Sequence, residues 1–321
     1  MKVIKIGGGS LKGKKNIQEI LDLVAERGRG HVIVVSALSG ITDRLIDSMA
    51  QALKDEEAIP SIMSELRNKH MLVARHVMPS AQFIQKYTRD LNDHLGKLER
   101  LYYGLNFTRE ITPKMTDMIG SFGERLSADL LSTALRARGL KATYRMPHKI
   151  GLVTDGKFGD ATANVPKTSH NLRQHLLPLL KEGMIVFVPG FFGVSEKGEI
   201  TTFGRGGSDY SAAVMAAAPR SNTRSSRPCP TFKLTCAVPK KHVRPQSFSA
   251  SRAAIGSPGL QCLSDLRGIT AQVQNSPHYN NRFLFKLVID GVRKSLGQHP
   301  MIAEKLWMDA TIQRQRINIG K

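Results

Sequence analysis

Over its first 218 residues the chain has no cysteine and no tryptophan. Its three cysteines, Cys229, Cys236 and Cys262, all fall in the last third, and its one tryptophan is Trp307. An odd number of cysteines at these spacings matches neither a zinc ligand set nor a disulfide framework, so neither organises the fold. Long apolar runs are missing too: no stretch approaches the ~20 residues that a membrane-spanning helix needs. The opening MKVIKIGGGS lacks the apolar stretch of a secretion signal, and a cytoplasmic setting is expected. Acidic residues disappear between Asp209 and Asp265.

That last absence locates the charge. The net charge is +21, yet residues 219–321 hold 17 Lys and Arg against 4 Asp and Glu, and so supply +13 of it. The same third holds eight of the fifteen prolines. A basic tail with few aromatics between its cations and no recognition motif reads as a disordered extension rather than a nucleic-acid module, and nucleic acid is not an expected partner. With 41% hydrophobic residues over 321 in all, the chain can bury a sizeable core.

The earlier residues are regular. Val3–Ile6 is β-rich and runs into Gly7-Gly8-Gly9. Ile17, Ile20, Leu21 and Val24 then recur at helical spacing, with Gly28 placed to stop the helix. HVIVVSAL, from His31 to Leu38, reads as a strand buried on both faces, and Ser39-Gly40 breaks it before a helix restarting near Thr42. This alternation predicts an α/β fold with an open, mostly parallel sheet and helices on both faces. Residues 55–118 read as a charged, amphipathic helical insertion with no motif of its own, and Met118–Arg138 as a further helix. Short strands are expected at Lys141–Tyr144, Ile150–Thr154, Met184–Val188 and Glu199–Phe203, with a helix around His170–Lys181. Ser208-Asp209 stands where a helix N-cap belongs, opening Tyr210–Ala218. From 219 the periodicity fails.

Three glycine- and serine-containing loops, at 7–10, 36–42 and 204–209, follow predicted strands, the edge at which open α/β sheets bind ligands. Such loops expose backbone N–H groups and helix N-termini, which suit phosphates. The first loop alone leaves three readings open. It nearly fits GxxxxGK(S/T) but has Lys15 where a hydroxyl should hold Mg²⁺; it has Lys12 where a dinucleotide fingerprint needs glycine; and it could be a plain turn. TTFGRGGSD is more specific, because a structural turn does not call for Arg205 and Asp209 beside its glycines.

The order of VIKIGGGSL, VSALSGITD, SFGERLSA, VTDGKFGDA, VPGFFG and TTFGRGGSDYSAA resembles that of aspartate kinases in the amino-acid kinase superfamily, over residues 1–218. Gly9 departs from the usual KFGGTS form, in which a Thr takes its place. The resemblance implies transfer of the ATP γ-phosphoryl group to the side-chain carboxylate of L-aspartate, with Mg²⁺ held mainly by the ATP phosphates and no protein metal site. It implies a catalytic role for Lys5 at the phosphoryl group and for Asp209 orienting it. Gly7, Gly8, Gly9, Ser10, Gly206 and Gly207 would serve the nucleotide phosphates. Arg205 would take the α-carboxylate and Glu124 the α-ammonium of aspartate, with Ser36, Thr42, Phe191 and Ser208 completing that side. Thr154, Phe158 and Gly159 would lie near the site. A homo-oligomer is compatible with the resemblance. The alternatives are another carboxylate or carbamate kinase of the superfamily, and a catalytically impaired or purely binding protein.

After Ala218 the resemblance stops: the family's strand and loop for the adenine and ribose side do not follow, and the basic stretch stands in their place. This rupture inside a helix suggests that residues from about 219 are read in a shifted frame or otherwise replaced. It carries the expectation that the sheet loses strands.

Overall fold

The computed structural model describes residues 2–217 and the strand 233–236. The expected α/β fold is present. β1 (Lys2–Ile6), β2 (Val32–Val35), β3 (Ala142–Tyr144) and β5 (Ile185–Pro189) belong to a five-stranded sheet ordered β3-β5-β2-β1-β8, with β8 being Lys233–Cys236. Every pair in it is parallel. β4 (Val153–Thr154), β6 (Phe192–Ser195) and β7 (Ile200–Thr202) form a second sheet ordered β4-β6-β7, whose β6–β7 pair is antiparallel.

The first sheet forms because its strands are apolar on both faces. Val3, Val32, Val34, Val186 and Val188 enter one core; Ile4, Ile6, Ile33, Val35, Ile185 and Phe187 enter the other. A parallel sheet covered by helices on both sides requires this double burial. On the isoleucine face lie α1 (Lys14–Arg27), α2 (Ile41–Lys54), α3 (Ala58–Val77), α4 (Ala81–Thr108) and α6 (Phe122–Ala137). On the valine face lie α8 (Val165–His175), α9 (Leu177–Lys181) and α10 (Gly207–Ala217). The short helices α5 (Pro113–Gly120) and α7 (Pro147–Ile150) complete the order.

Residues 55–118 do fall largely into helices, and those helices share the sheet's own core: Tyr87, Leu91, Leu95, Leu98 and Tyr102 of α4 are buried with the isoleucine face. α5 begins with Thr112, whose hydroxyl accepts from the Met115 N–H, and Pro113 at its first position. It passes into α6 through Ser121, which ends one helix and begins the next. The stretch expected as one helix around His170–Lys181 divides into α8 and α9 before Pro178, which has no N–H to continue the ladder.

Two expectations are corrected. Ser208 and Asp209 do not cap α10; the helix begins at Gly207, and the Asp209 N–H already bonds to the Gly206 carbonyl. Gly206, at φ +79°, turns the chain early enough for this. The stretch from 219, in which the sequence shows no period, contains a strand: β8 runs parallel along β1, Lys2 opposite Lys233 and Lys5 opposite Cys236. The other expectations for residues beyond 217, including disorder and a shifted frame, lie outside the described residues.

Candidate active site

The C-terminal ends of β1, β2 and β5 carry three adjacent loops. After β1, residues Gly8–Leu11 form a 3-10 turn in which the Ser10 N–H bonds to the Gly7 carbonyl at 3.0 Å. The loop after β2 lies alongside, tied by Ser36 N–H to the Ile6 carbonyl at 3.1 Å and Ser39 N–H to the Leu11 carbonyl at 3.3 Å. Gly8 backs onto Ser36 and Ala37. The loop after β5 joins through the Gly190 N–H, which bonds to the Val35 carbonyl at 2.9 Å.

Lys5 is placed by strand alternation. It shares the face of Val3 and so meets α10, where its Nζ lies 2.7 Å from Asp209 Oδ1. The lysine side chain is 13% exposed and the aspartate 37%. Its ammonium curls back over Gly7, 3.3 Å from where a side chain there would begin. Asp209 lies in the first turn of α10, where a carboxylate is favoured by the helix dipole.

Glu124 approaches from the opposite layer. It is 4% exposed, in the first turn of α6. Gly123 lets that turn come close: a methyl group there would sit 2.7 Å from Ala37 Cβ and 3.4 Å from Thr42 Oγ1. Burial pushes the Glu124 carboxyl up to about 8, against weaker opposing effects of the Ala37 backbone, the Ser208 hydroxyl and the charge of Lys5. Its Oε2 is buried without a hydrogen-bond partner. Glu124, Ser208, Lys5 and Asp209 thus form one polar chain linking the two helical layers above the sheet edge.

Arg205 stands on the third loop. Gly204 at φ +71° and Gly206 at φ +79° flank it, a left-handed pair that folds the turn sharply outward. Arg205 is exposed and makes no ion pair with another described residue. Phe191 adopts φ +73°, and its ring packs between Gly120 and Gly207. Thr154 is buried, its hydroxyl 2.6 Å from that of Thr201; Phe158 is half-buried and Gly159 exposed. The structure thus gathers Lys5, Gly7, Gly8, Ser10, Ser36, Thr42, Glu124, Phe191, Gly206, Gly207, Ser208 and Asp209 around one edge. Gly9 is exposed, and a methyl group there would meet nothing within 4 Å; Arg205 faces solvent at the rim.

Sequence reasoning missed Asp117. It is buried in α5, and its carboxylate accepts from Gly159 N–H at 2.9 Å, Thr202 N–H at 2.8 Å and the Thr202 hydroxyl at 2.6 Å. The available signal was one acidic residue among Met115, Met118 and Ile119 of a short helix.

No cluster of three or more His, Cys, Asp or Glu side chains able to cage a metal ion occurs among the described residues. No described helix is long and apolar enough to cross a membrane.

Residues 1–222 match the amino acid kinase family, and the chain belongs to it. Within that family its relatives are aspartokinases. It is 29% identical over 221 residues to lysine-sensitive aspartokinase 3 of Escherichia coli, covering 67% of this chain and 46% of that one. It is 30% identical over 219 residues to an aspartokinase of Thermus thermophilus, covering 67% and 39%. The crystal structure of E. coli aspartokinase III in complex with aspartate and ADP superposes with a TM-score of 0.61 at 27% identity, covering 74% of this chain and 49% of that one. The chain therefore spans less than half the length of these relatives.

Proposed function

We propose that this chain is an aspartate kinase, transferring the γ-phosphoryl group of ATP to the side-chain carboxylate of L-aspartate to give 4-phospho-L-aspartate. The observation that carries this reading is the arrangement of a paired cation, Lys5–Asp209, with a buried carboxyl, Glu124, behind it and a presented guanidinium, Arg205, at the rim. The kinship with aspartokinases supports it.

The chemistry suits these groups. A side-chain carboxylate, with an ordinary pKa near ~4, is already a nucleophile at neutral pH, and no general base is needed. The obstacle is repulsion between two anions that must meet in line. Lys5, held by Asp209, meets the phosphoryl oxygens. The amides of Gly7, Gly8, Gly9 and Gly206 and the Ser10 hydroxyl offer donors to the phosphates, while the Ser10 and Gly207 amides, bonded to the Gly7 and Gly204 carbonyls, shape the two turns. Arg205 takes the α-carboxylate as a planar fork. Glu124 receives the α-ammonium, which gives its unpartnered Oε2 a donor and favours the ionised carboxylate. Ser36, Thr42, Ser208 and Phe191 bound the amino-acid side.

Mg²⁺ would be held mainly through the ATP phosphates, as is usual for this ion, with Asp209 paired to Lys5. Mg²⁺ so bound would neutralise phosphate charge.

The test is ADP release by the full chain with ATP-Mg²⁺ and either L-aspartate or L-glutamate. Turnover with aspartate that is lost in Lys5→Ala supports the proposal. Preference for glutamate or a carbamate would move the chain to another activity of the same family. A folded wild type whose rate equals that of Lys5→Ala would favour binding without turnover, a reading favoured by the end of the family match at residue 222.

A further inference from the structure

We infer that Asp117 is a positioning residue for the amino-acid substrate: by bridging α5 to the segment that leads into the Arg205 turn, it sets the distance between the groups receiving the two α-substituents. The inference rests on the aspartate kinase reading and deepens it. Arg205 and Glu124 lie on unconnected parts of the chain, one after β7 and the other in α6. Recognition of a single amino acid requires that the guanidinium and the carboxylate keep a fixed separation. Behind Arg205, the Ser208 hydroxyl at Glu124 and the Lys5–Asp209 pair hold the start of α10; something must do the same for the chain ahead of it.

Asp117 does. It precedes Glu124 by seven residues along α5 and α6, a rise of roughly 10 Å for helical chain. The junction between the two helices is itself secured, because Ser121 N–H bonds to the Asp117 carbonyl at 3.1 Å and the Ser121 hydroxyl to the Met118 carbonyl at 2.6 Å. From this rod the Asp117 carboxylate takes both the N–H and the hydroxyl of Thr202, three residues before Arg205. Its Oδ2 also accepts the Gly159 N–H. Gly159 in turn backs onto Gly204, where a methyl group would lie 3.0 Å from the Gly159 carbonyl oxygen. One carboxylate therefore anchors the start of the Arg205 turn and the loop behind it. Lys114, one turn earlier on α5, adds an ion pair with Glu199 at 2.9 Å beside β7.

A buried carboxylate with three donors is more than a helix needs, and it is the acceptor-only character of the ionised group that fits three donors at once. Asp117→Asn keeps the shape but offers a donor where a backbone N–H already points. The turn then loses its anchor while the chain keeps its core.

The experiment compares the full-length wild type, Asp117→Asn, Arg205→Ala and the double variant in steady-state assays with aspartate and ATP, alongside amide hydrogen exchange. Asp117→Asn is expected to raise the aspartate KM about tenfold, as sub-ångström to ångström misplacement does, and to leave the ATP KM within about twofold. In the Arg205→Ala background it should add less than about twofold, because the two changes remove the same interaction. Exchange should quicken at Gly159, Thr202 and residues 203–207. Equal rises in both KM values, or the full factor on top of Arg205→Ala, would show a merely structural role and overturn the inference. Unchanged exchange in that segment would do the same. A wild type without aspartate-dependent turnover would remove the kinase reading, while the exchange experiment still decides whether Asp117 anchors the turn. Should Asp117→Asn fail to fold, Thr202→Val, which removes only the hydroxyl contact, is expected to show the same aspartate-selective rise at smaller size; no rise overturns the inference.

Discussion

The two sheets of this chain are stabilised by different means. In the five-stranded sheet, VIVV of β2 and IVFVP of β5 are buried along their whole length, and every residue but Pro189 enters one core or the other. In the three-stranded sheet, β4, β6 and β7 read VT, FGVS and ITT. These bury Phe192 and Val194 but interleave them with threonines and a glycine, and are knitted by polar contacts as well: Thr154 with Thr201, Asp117 with Thr202. Hydrophobic burial is non-directional and tolerates small shifts, whereas hydrogen bonds fix positions to within tenths of an ångström. The sheet that carries the glycine loops after β1 and β2 is the platform held by burial. The sheet that carries the Arg205 turn is the adjustable one, with its geometry set by a few side chains.

Phe187→Ala tests the platform most severely. Phe187 is fully buried in the middle of β5, and its truncation should cost about 3–5 kcal/mol of stability, read by urea denaturation. If the loss were much smaller, burial in β5 would not be what distinguishes this sheet. On the proposed function, Lys5→Ala should leave far-UV circular dichroism unchanged and lower kcat by on the order of 100- to 1000-fold, since it would delete a charge at the phosphoryl group rather than part of the core.

The junction between the layers answers to pH. The Glu124 carboxyl titrates near 4.5 in the unfolded chain and at about 8 in the folded one. Between those values the folded chain binds more protons, so stability should fall as pH rises through that window, by about 1.4 kcal/mol for each unit separating the two values at most. Glu124→Gln should flatten this limb in denaturant titrations at several pH values. His70, buried and pushed down to about 4, acts oppositely. Its unfolded form takes up a proton below 6.5, and stability should fall as pH drops from there towards 4.

Thr202→Val sharpens the contrast from the other side. It removes the hydroxyl bond to Asp117 at nearly constant volume and should cost about 1–2 kcal/mol in the same denaturation assay. Lys86→Ala, which breaks an exposed ion pair with Asp90 one turn away, should change stability by less than about 0.5 kcal/mol. A larger loss there would mean that the outer helical surface matters more than burial suggests.

The same difference decided what could be read from the sequence. β1, β2 and β5 were legible because continuous apolar runs between glycine breaks have few other solutions, and the loops after them followed. The placement of Lys5 beside Asp209 was legible through family resemblance, and strand alternation explains it. β6 was missed because Phe192-Gly193-Val194-Ser195 has neither a clear period nor length, and its parallel pairing with β4 joins Val194 to the distant Val153. Asp117 was invisible for the same reason: its three donors lie 42 and 85 residues away. The start of α10 was placed late because Ser208-Asp209 looks like a capping pair, while the left-handed Gly206 had already turned the chain. β8 shows the opposite error. A region whose composition gave no period nevertheless supplies a strand beside β1, because a parallel edge accepts a partner through its backbone alone.

The corner around Phe191 has a consequence for how this chain can change. Phe191 sits at φ +73°, a conformation that disfavours a bulky side chain, and its carbonyl accepts the Phe203 N–H at 2.8 Å. A methyl group on Gly207 would come within 2.9 Å of the Phe191 ring, and one on Gly190 within 2.8 Å of Ser208. Both places also meet backbone, the Phe191 carbonyl oxygen at 2.9 Å from Gly207 and the Ser208 Cα at 2.9 Å from Gly190, so a smaller neighbouring side chain does not make room. The two glycines are therefore the fixed points of this corner, and a library that randomises it will return folded variants in which both remain glycine, whatever its neighbouring side chains become.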